Sequence, residues 1–510
     1  MYCGLGKTDY QNDYSEVIGS CAGTDNLPYL DKRNIINGME GNKVSLDEVF
    51  SPRGVALAGA SPSGGFATGV ARGLQEAGFP NIYPVNPKYT EVFGLPCYAS
   101  IRDIPGIVDH VVVSIPAEAA LGLLDDCAAK GVRSVHFFTA GFSESGYAER
   151  AELEKAMLEK ARAGNFRIIG PNCVGIYVPK SRLANGTGMP MEPGPVAFIS
   201  QSGGHAHNLP LYGGPRGLRF SKVVSYGNAL DVNESELMEY FGQDPDTETI
   251  AVYIEGVKDG RRFQKALRDA AARKPVIIYK GGTTEAGKRA THGHTASLTS
   301  SVDVFNTLCR QMNAIQVDDM DELIDTLIAI HLVKPVPRGA GVAIVGAGGG
   351  PSVHCSDEME KAGLYVPQLS AEVQEELKQS LPLAGSIFNN PIDTPNMASP
   401  QAISIAMRIL SRVPGIDMLV YHMGFHPISR WGGGRFSSPA FLQPVIDTFR
   451  EVQETAGKPV LLVMSPALET GLIKEFLDTQ QAFVTAGFGV FHSMRQAARA
   501  MARLISWERV

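Results

Sequence analysis

Short apolar runs that end in glycine- or serine-rich turns and lead into helices recur along this chain, and that alternation fixes its fold class. The first run is "GVALAGAS" (54–61), followed by the helical pattern "ATGVARGLQEAG" (67–78). Then come "NIYPVNP", "HVVVSIP", "SVHFFTAGF" and "FRIIGPN", each separated from the next by a helical segment, of which "AELEKAMLEKARAG" closes on a glycine. Runs this continuously apolar are buried on both faces, and strands alternating with helices imply a parallel sheet covered on each side. The pattern restarts twice. "PVAFISQSGG", "SKVVSYGN", "TIAVYIEGV" and "PVIIYKGG" form a second block from Gly194 to Leu332. "GVAIVGAGGGPS", "GIDMLVYHMGF", "PVLLVMSP" and "QQAFVTAGFGVF" form a third from Gly339 onward, with "KPVPRGAG" as the seam.

A length of 510 residues is too great for one core and suits three domains. The sequence predicts a polar extension over 1–45 and domains over 46–188, 189–335 and 336–510. A net charge of −7 with no long basic run gives no reason to expect nucleic acid. No stretch approaches the roughly 20 apolar residues of a membrane span, so no membrane association is expected. Seven cysteines, odd in number and without a CxxC pair, point away from a disulfide framework. They favour a reducing compartment, and the expected location is the cytoplasm.

Three strand–turn–helix junctions carry anion-binding character. "GASPSGGFATG" (59–69) opens the first block, and a helix start of this kind offers free N–H groups to phosphate. "YPVNPKY" ends the second strand on Asn86, Pro87 and Lys88, where a dinucleotide-binding unit carries an acidic residue for the ribose. A lysine there suits a phosphorylated nucleotide and favours coenzyme A over NAD. "SQSGGH" (200–205) and "GAGGGPS" (346–352) repeat the device in the later blocks as nests of backbone donors for a phosphoryl group. Taken singly, each such turn is more often just a tight turn without a ligand. Glu255 ends "AVYIE" at the carboxyl edge where open α/β sheets hold their ligands. Paired with a histidine, it would hold one ring N–H and leave the other nitrogen as a nucleophile. "ATHGHTASL" supplies two histidines, His292 and His294, in a polar stretch after the loop "TTEAGKR". Their H-x-H spacing, matched by His205 and His207, also admits a zinc site, but no HExxH or carboxylate pattern accompanies them and no metal is expected.

Taken in order, "SPRGVALAGAS", "YPVNPKY", "GPNCVG", "SQSGG", "YIEGV", "KGGTTEAGKRATHGHTASL" and "NPID" resemble the NDP-forming acyl-CoA synthetases, the superfamily of succinyl-CoA synthetase and ADP-forming acetyl-CoA synthetase. The resemblance runs from about Leu46 almost to the end. It implies an α/β fold with an N-terminal Rossmann-like CoA-binding domain followed by two flavodoxin-like domains of succinyl-CoA-ligase type. It also implies a phosphorylated histidine, and "EAGKRATHGHTASL" aligns His294 with it, leaving His292 as a bystander or local tuner. Glu255 would orient that imidazole, and Asn172 would lie near the acyl and phosphoryl centre. Ser200, Gln201, Ser202 and Gly203, with Gly348, Gly349 and Gly350, would cradle the phosphoryl group. Gly59, Ser61, Asn86, Pro87, Lys88 and Pro116 would line the coenzyme A side.

The motif departs from the family's Ser-His-Thr-Gly, with Gly293 before the histidine and Ala296 after Thr295, and "SQSGGHAHNLP" replaces a helix of small residues. No segment reads as an ATP-grasp module. The resemblance therefore implies the α subunit of a two-chain enzyme, expected as α2β2, whose β subunit brings ATP or GTP with Mg. Two alternatives stand beside it: a non-catalytic CoA-binding or regulatory protein, and a metal-dependent hydrolase using the H-x-H pairs. "YHMGFHPISRWGGGRF" (421–436), with Arg430 and Trp431, is read as a loop that recognises the acid or forms a subunit contact.

Overall fold

The computed structural model describes residues 44–295, 301–346, 348–394, 399–425, 436–466 and 469–508, excepting the side chains of 292–295. The N-terminal extension and residues 426–435 of the predicted loop lie outside them, and residues 44–510 group as one compact unit.

Three parallel sheets follow one another along the chain. The first has five strands in the spatial order Ile82–Val85, Val55–Ala58, His110–Val113, Ser134–Phe137, Arg167–Ile169, all parallel. The second runs Ile315–Val317, Val276–Lys280, Thr249–Ile254, Pro193–Ser200, Phe220–Ser225, again parallel, with Ile176–Tyr177 added antiparallel at the edge. This is the doubly wound order 2-1-3-4-5, in which strand order reverses between Pro193–Ser200 and Thr249–Ile254 and leaves a crevice at their carboxyl ends. The third runs Val342–Gly346, Met418–Gly424, Val460–Ser465, Val490–Phe491. An irregular segment ending in Ile392 takes the place of a second strand beside Val342–Gly346. It is held there by the Ile392 N–H on the Ile344 carbonyl and the Ile344 N–H on Asn390 Oδ1.

The second and third sheets share a helical layer. Helix Met320–Leu332 starts where Asp319 Oδ1 accepts the Glu322 N–H at 2.8 Å and is buried on nearly every face, as a helix caught between two sheets must be. Its Leu323, Leu327 and Ile328 join Phe198 and Ala251 of the second sheet to Ile344, Val420 and Leu461 of the third. Helix Met494–Glu508 packs against it, with Arg499 and Arg503 both on Glu322, at 2.5 and 2.6 Å. At the same seam the buried Arg216 pairs with Asp325 and donates to the Val490 carbonyl. Removing either charge would strand the other in a low-dielectric interior.

Three local readings change. "TTEAGKRATHGHT" is not a loop after its first residues but a helix, Glu285–Thr295. Thr284 nucleates it: its hydroxyl accepts the Gly287 N–H at 3.0 Å, its carbonyl takes the Lys288 N–H, and Glu285 sits at the positive end. The first half of "QQAFVTAGFGVF" is the end of helix Thr470–Thr485, and only Val490–Phe491 is strand. The long helix of the first domain ends at Gly164, but Asn165 takes the left-handed conformation after it, with φ 50°.

Candidate active site

The loops at the carboxyl ends of the first and second sheets converge. Gly227 makes this possible: a Cβ there would stand 2.2 Å from the Pro171 carbonyl oxygen and 2.5 Å from that of Asn172, so only glycine lets "SYGN" lie on "GPNCVG". Asn172 has φ 59° and donates its N–H to the Thr139 carbonyl, while the Asn228 N–H bonds to Pro171. The Asn228 side chain donates to Glu144 Oε2 at 2.6 Å and Glu154 Oε1 at 2.9 Å. Lys258 donates to the Asn228 and Ala229 carbonyls, and burial lowers its pKa. Asn172 is therefore fixed at a junction of both sheets. The helix Glu285–Thr295, which carries the two histidines, lies beside the turn Ser143–Ser145 of the same junction.

At the crevice of the second sheet, Gln201 ties the SQSG turn to Glu255. Its side-chain oxygen accepts the Glu255 N–H at 2.8 Å, the Gly256 N–H at 3.2 Å and the Tyr226 hydroxyl at 3.4 Å, while its own N–H bonds to Tyr253. Gln201 thus locks the Glu255 turn with both groups. Ser200 is fully buried and its hydroxyl goes to the Ser202 carbonyl. Ser202 caps helix Gly203–Gly213 by accepting the His205 N–H at 3.4 Å. Glu255 is 6 % exposed and accepts the Tyr253 hydroxyl at 3.1 Å, and Lys280 clasps the Glu255 and Gly281 carbonyls, both at 2.6 Å. Burial lowers Lys280, opposed by the Glu255 charge.

His205 and His207 do not converge. The first stands edge-on to Tyr253, centroids 4.3 Å apart, and the second packs against Gly186. Burial lowers both below the ordinary imidazole value, and no cluster of three or more His, Cys, Asp or Glu suited to a metal occurs among the described residues. The side chains of His292 and His294 lie outside the described residues. Their backbone positions on the helix are two residues apart, about 200° around the axis.

The third junction has an occupant that the sequence did not announce. Helix Gly349–Lys361 begins at Gly348, and the Asp393 carboxylate of "NPID" lies against the Gly348 N–H. Burial pushes this carboxyl up and the N–H opposes the shift. Gly348 and Gly349 thus face a carboxylate of their own chain, whereas a Cβ at Gly350 would meet nothing within 4 Å.

The coenzyme A candidates gather at the reversal point of the first sheet. Gly59, with φ 92°, lies against the Ser114 carbonyl, where a Cβ would come within 2.4 Å. Asn86 donates to the Ala60 carbonyl at 2.8 Å and accepts the Lys88 N–H at 3.0 Å, joining two strand ends. Ser61 pairs with Ser63, and Pro116 starts a 3-10 turn at the end of the next strand. Helix Phe66–Glu76 begins at Gly65 with no side-chain cap, and Pro87, Lys88 and Pro116 are exposed. An uncapped helix start beside an exposed cation fits a phosphorylated ligand.

Comparison with known proteins agrees with this geometry. The model of a CoA binding domain matches residues 53–179, and that of the succinyl-CoA ligase like flavodoxin domain matches 193–330. These domains and the paired crevices define an acid–thiol ligase. The α subunit of acetate–CoA ligase [ADP-forming] II of Pyrococcus furiosus is 34% identical over 437 residues, 85% of this chain and 93% of that one. The dinucleotide forming acetyl-coenzyme A synthetase 1 of Ca. Korarchaeum cryptofilum, solved with phosphate and ADP, superposes with a TM-score of 0.74 at 29% identity, over 91% of this chain and 97% of that chain. The chain belongs to the ADP-forming acyl-CoA ligase family, on the side of its α subunits. It spans about half of longer relatives, covering 54% of acetate–CoA ligase [ADP-forming] I of Archaeoglobus fulgidus at 34% identity.

Tyr253, Tyr226, Lys258, Asn228 and Asp393 escaped the sequence reading. One signal was present: in a strand, residues two apart share a face, which puts Tyr253 beside Glu255.

Proposed function

We propose that this chain carries the acyl and coenzyme A chemistry of a ligase that joins a carboxylic acid to coenzyme A at the expense of ATP or GTP. His294 receives the phosphoryl group on a ring nitrogen, and Glu255 holds the opposite ring N–H. A carboxylate oxygen of the acid attacks phosphorus, the bond to His294 breaks, and an acyl phosphate forms. The coenzyme A sulfur then attacks the acyl carbon, loses its proton, and expels phosphate. Splitting the condensation into two exchanges of this kind is covalent catalysis. The first N–H groups of helix Gly203–Gly213, and those of helix Gly349–Lys361 beyond the Gly348 N–H that Asp393 takes, offset the phosphoryl charge, and Asn172 borders the acyl centre. Gly59, Ser61, Asn86, Pro87, Lys88 and Pro116 hold coenzyme A.

The nucleotide and its Mg bind to a separate ATP-grasp β subunit, in an α2β2 assembly located in the cytoplasm. No helix among the described residues is long and apolar enough to cross a membrane. The acid is small, acetate being the first candidate because the α-subunit relative is named for it.

The observation that supports this reading best is the locking of Glu255 by Gln201 at the crevice of the second sheet, beside the loop that fixes Asn172. The test is reconstitution with an ATP-grasp partner and ATP. Acetyl-CoA formation should be abolished by His294→Ala and retained by His292→Ala. Activity surviving His294→Ala would reject the assignment.

A further inference from the structure

Tyr253 lies on the strand Thr249–Ile254 that leads into Glu255, and its surroundings hold its hydroxyl in one place. Its ring contacts His205 and Tyr279, with centroids 4.3 and 4.9 Å away, and His205 also stands 5.6 Å from Tyr279. The hydroxyl rests over Gly281, where a Cβ would come within 2.6 Å of it, and reaches Glu255 Oε1 at 3.1 Å. Burial and the neighbouring Glu255 carboxylate raise the Tyr253 pKa, so the phenol keeps its proton throughout the working range and donates.

We propose that Tyr253 is a positioning residue: clamped by His205, Tyr279 and Gly281, its hydroxyl sets the direction of the Glu255 carboxylate that orients His294. The inference rests on the functional reading above. The groups facing this carboxylate among the described residues are Tyr253 on its own strand, Lys280 at the end of one neighbouring strand, Gln201 at the end of the other, and Tyr226 beyond it. Of these, Lys280 and Gln201 address the backbone of Glu255, and Tyr253 addresses its carboxylate. The role is therefore distinct from holding the loop in place.

The test runs the acyl half of the reaction on the full chain, with acetyl-CoA and radiolabelled phosphate, and follows the rate of acid-labile labelling against the concentration of each. Tyr253→Phe removes the donor and keeps the ring. Without that contact the carboxylate is no longer held in one direction, so the maximal labelling rate should fall about tenfold while the KM values for acetyl-CoA and phosphate stay within about twofold, the split that separates lost positioning from lost binding. Coenzyme A binding should be unchanged, which reports on folding. Gly281→Ala pushes the hydroxyl aside without deleting it and should lower the maximal rate in the same way, which keeps the test open if Tyr253→Phe is unstable. A wild-type maximal rate in a folded Tyr253→Phe, or in Gly281→Ala if Tyr253→Phe does not fold, would overturn the inference and leave the functional reading intact. No label on the wild-type chain, or full label on Glu255→Gln, would overturn both.

Discussion

Replacing Gln201 by alanine should loosen the Glu255 turn more than any other single change at the crevice. The Gln201 side-chain oxygen accepts two backbone N–H groups, at 2.8 and 3.2 Å, in a residue only 7 % exposed. Each buried donor left without an acceptor costs about 1–3 kcal/mol, and the longer bond contributes toward the low end, so local opening becomes easier by about 2–4 kcal/mol. At 1.4 kcal/mol per decade, that is a loss of roughly 30- to 1,000-fold in protection of the Glu255 and Gly256 amides. Hydrogen exchange resolved by NMR or fragment mass spectrometry reads it directly. Gln201→Met separates the causes, because it keeps the volume and lacks the acceptor. It should lose protection almost as fully as alanine. Unchanged exchange at 255 and 256 in both variants would refute the claim that this side chain locks the turn.

Two other expectations follow from different parts of the molecule. In the first sheet, burial drives His110 to about 3 and His136 to about 4, with their rings 6.2 Å apart. Both folded values lie below that of the unfolded chain, so their contribution is intact above pH 6.5 and is lost as pH falls toward the folded pKa values. Between pH 7 and 5 the pair should cost about 3–4 kcal/mol, seen as a falling urea midpoint for the CoA-binding region, and His136→Gln should blunt the fall. On the coenzyme A side, Lys88→Ala should weaken binding about tenfold by calorimetry, as the loss of one charge-assisted contact does. Unchanged affinity would move the pocket elsewhere.

The strand-by-strand alternation was legible because buried parallel strands must be short, apolar and β-branched, as "HVVV" and "PVIIY" are. Glu255, Gln201 and the Asn86 turn stand out in the sequence because each sits at a strand end followed by a turn. What stayed hidden depended on contacts remote in sequence. Asp393 reaches Gly348 from a segment with no regular pattern, and Asn228 meets Glu144 and Glu154 across two sheets. The edge strand Ile176–Tyr177 is two residues long, too short to show a period, although it carries the chain into the second sheet before the predicted boundary near 188. The histidine segment reads as loop because threonine, glycine and histidine are poor helix formers. Capping by Thr284 and burial of Thr291, whose hydroxyl bonds to the Gly287 carbonyl, outweigh that preference.

The central claim is that one imidazole of this chain carries a phosphoryl group between nucleotide and acid. Incubating the chain with acetyl-CoA and phosphate, digesting it at alkaline pH and locating the modification by fragmentation mass spectrometry tests it most directly. Phosphate is expected on His294, lost on acidification, passed to acetate as acetyl phosphate when acetate is supplied, and released as inorganic phosphate once coenzyme A is also present. Phosphate on His292, or on no histidine of the helix Glu285–Thr295, would contradict it.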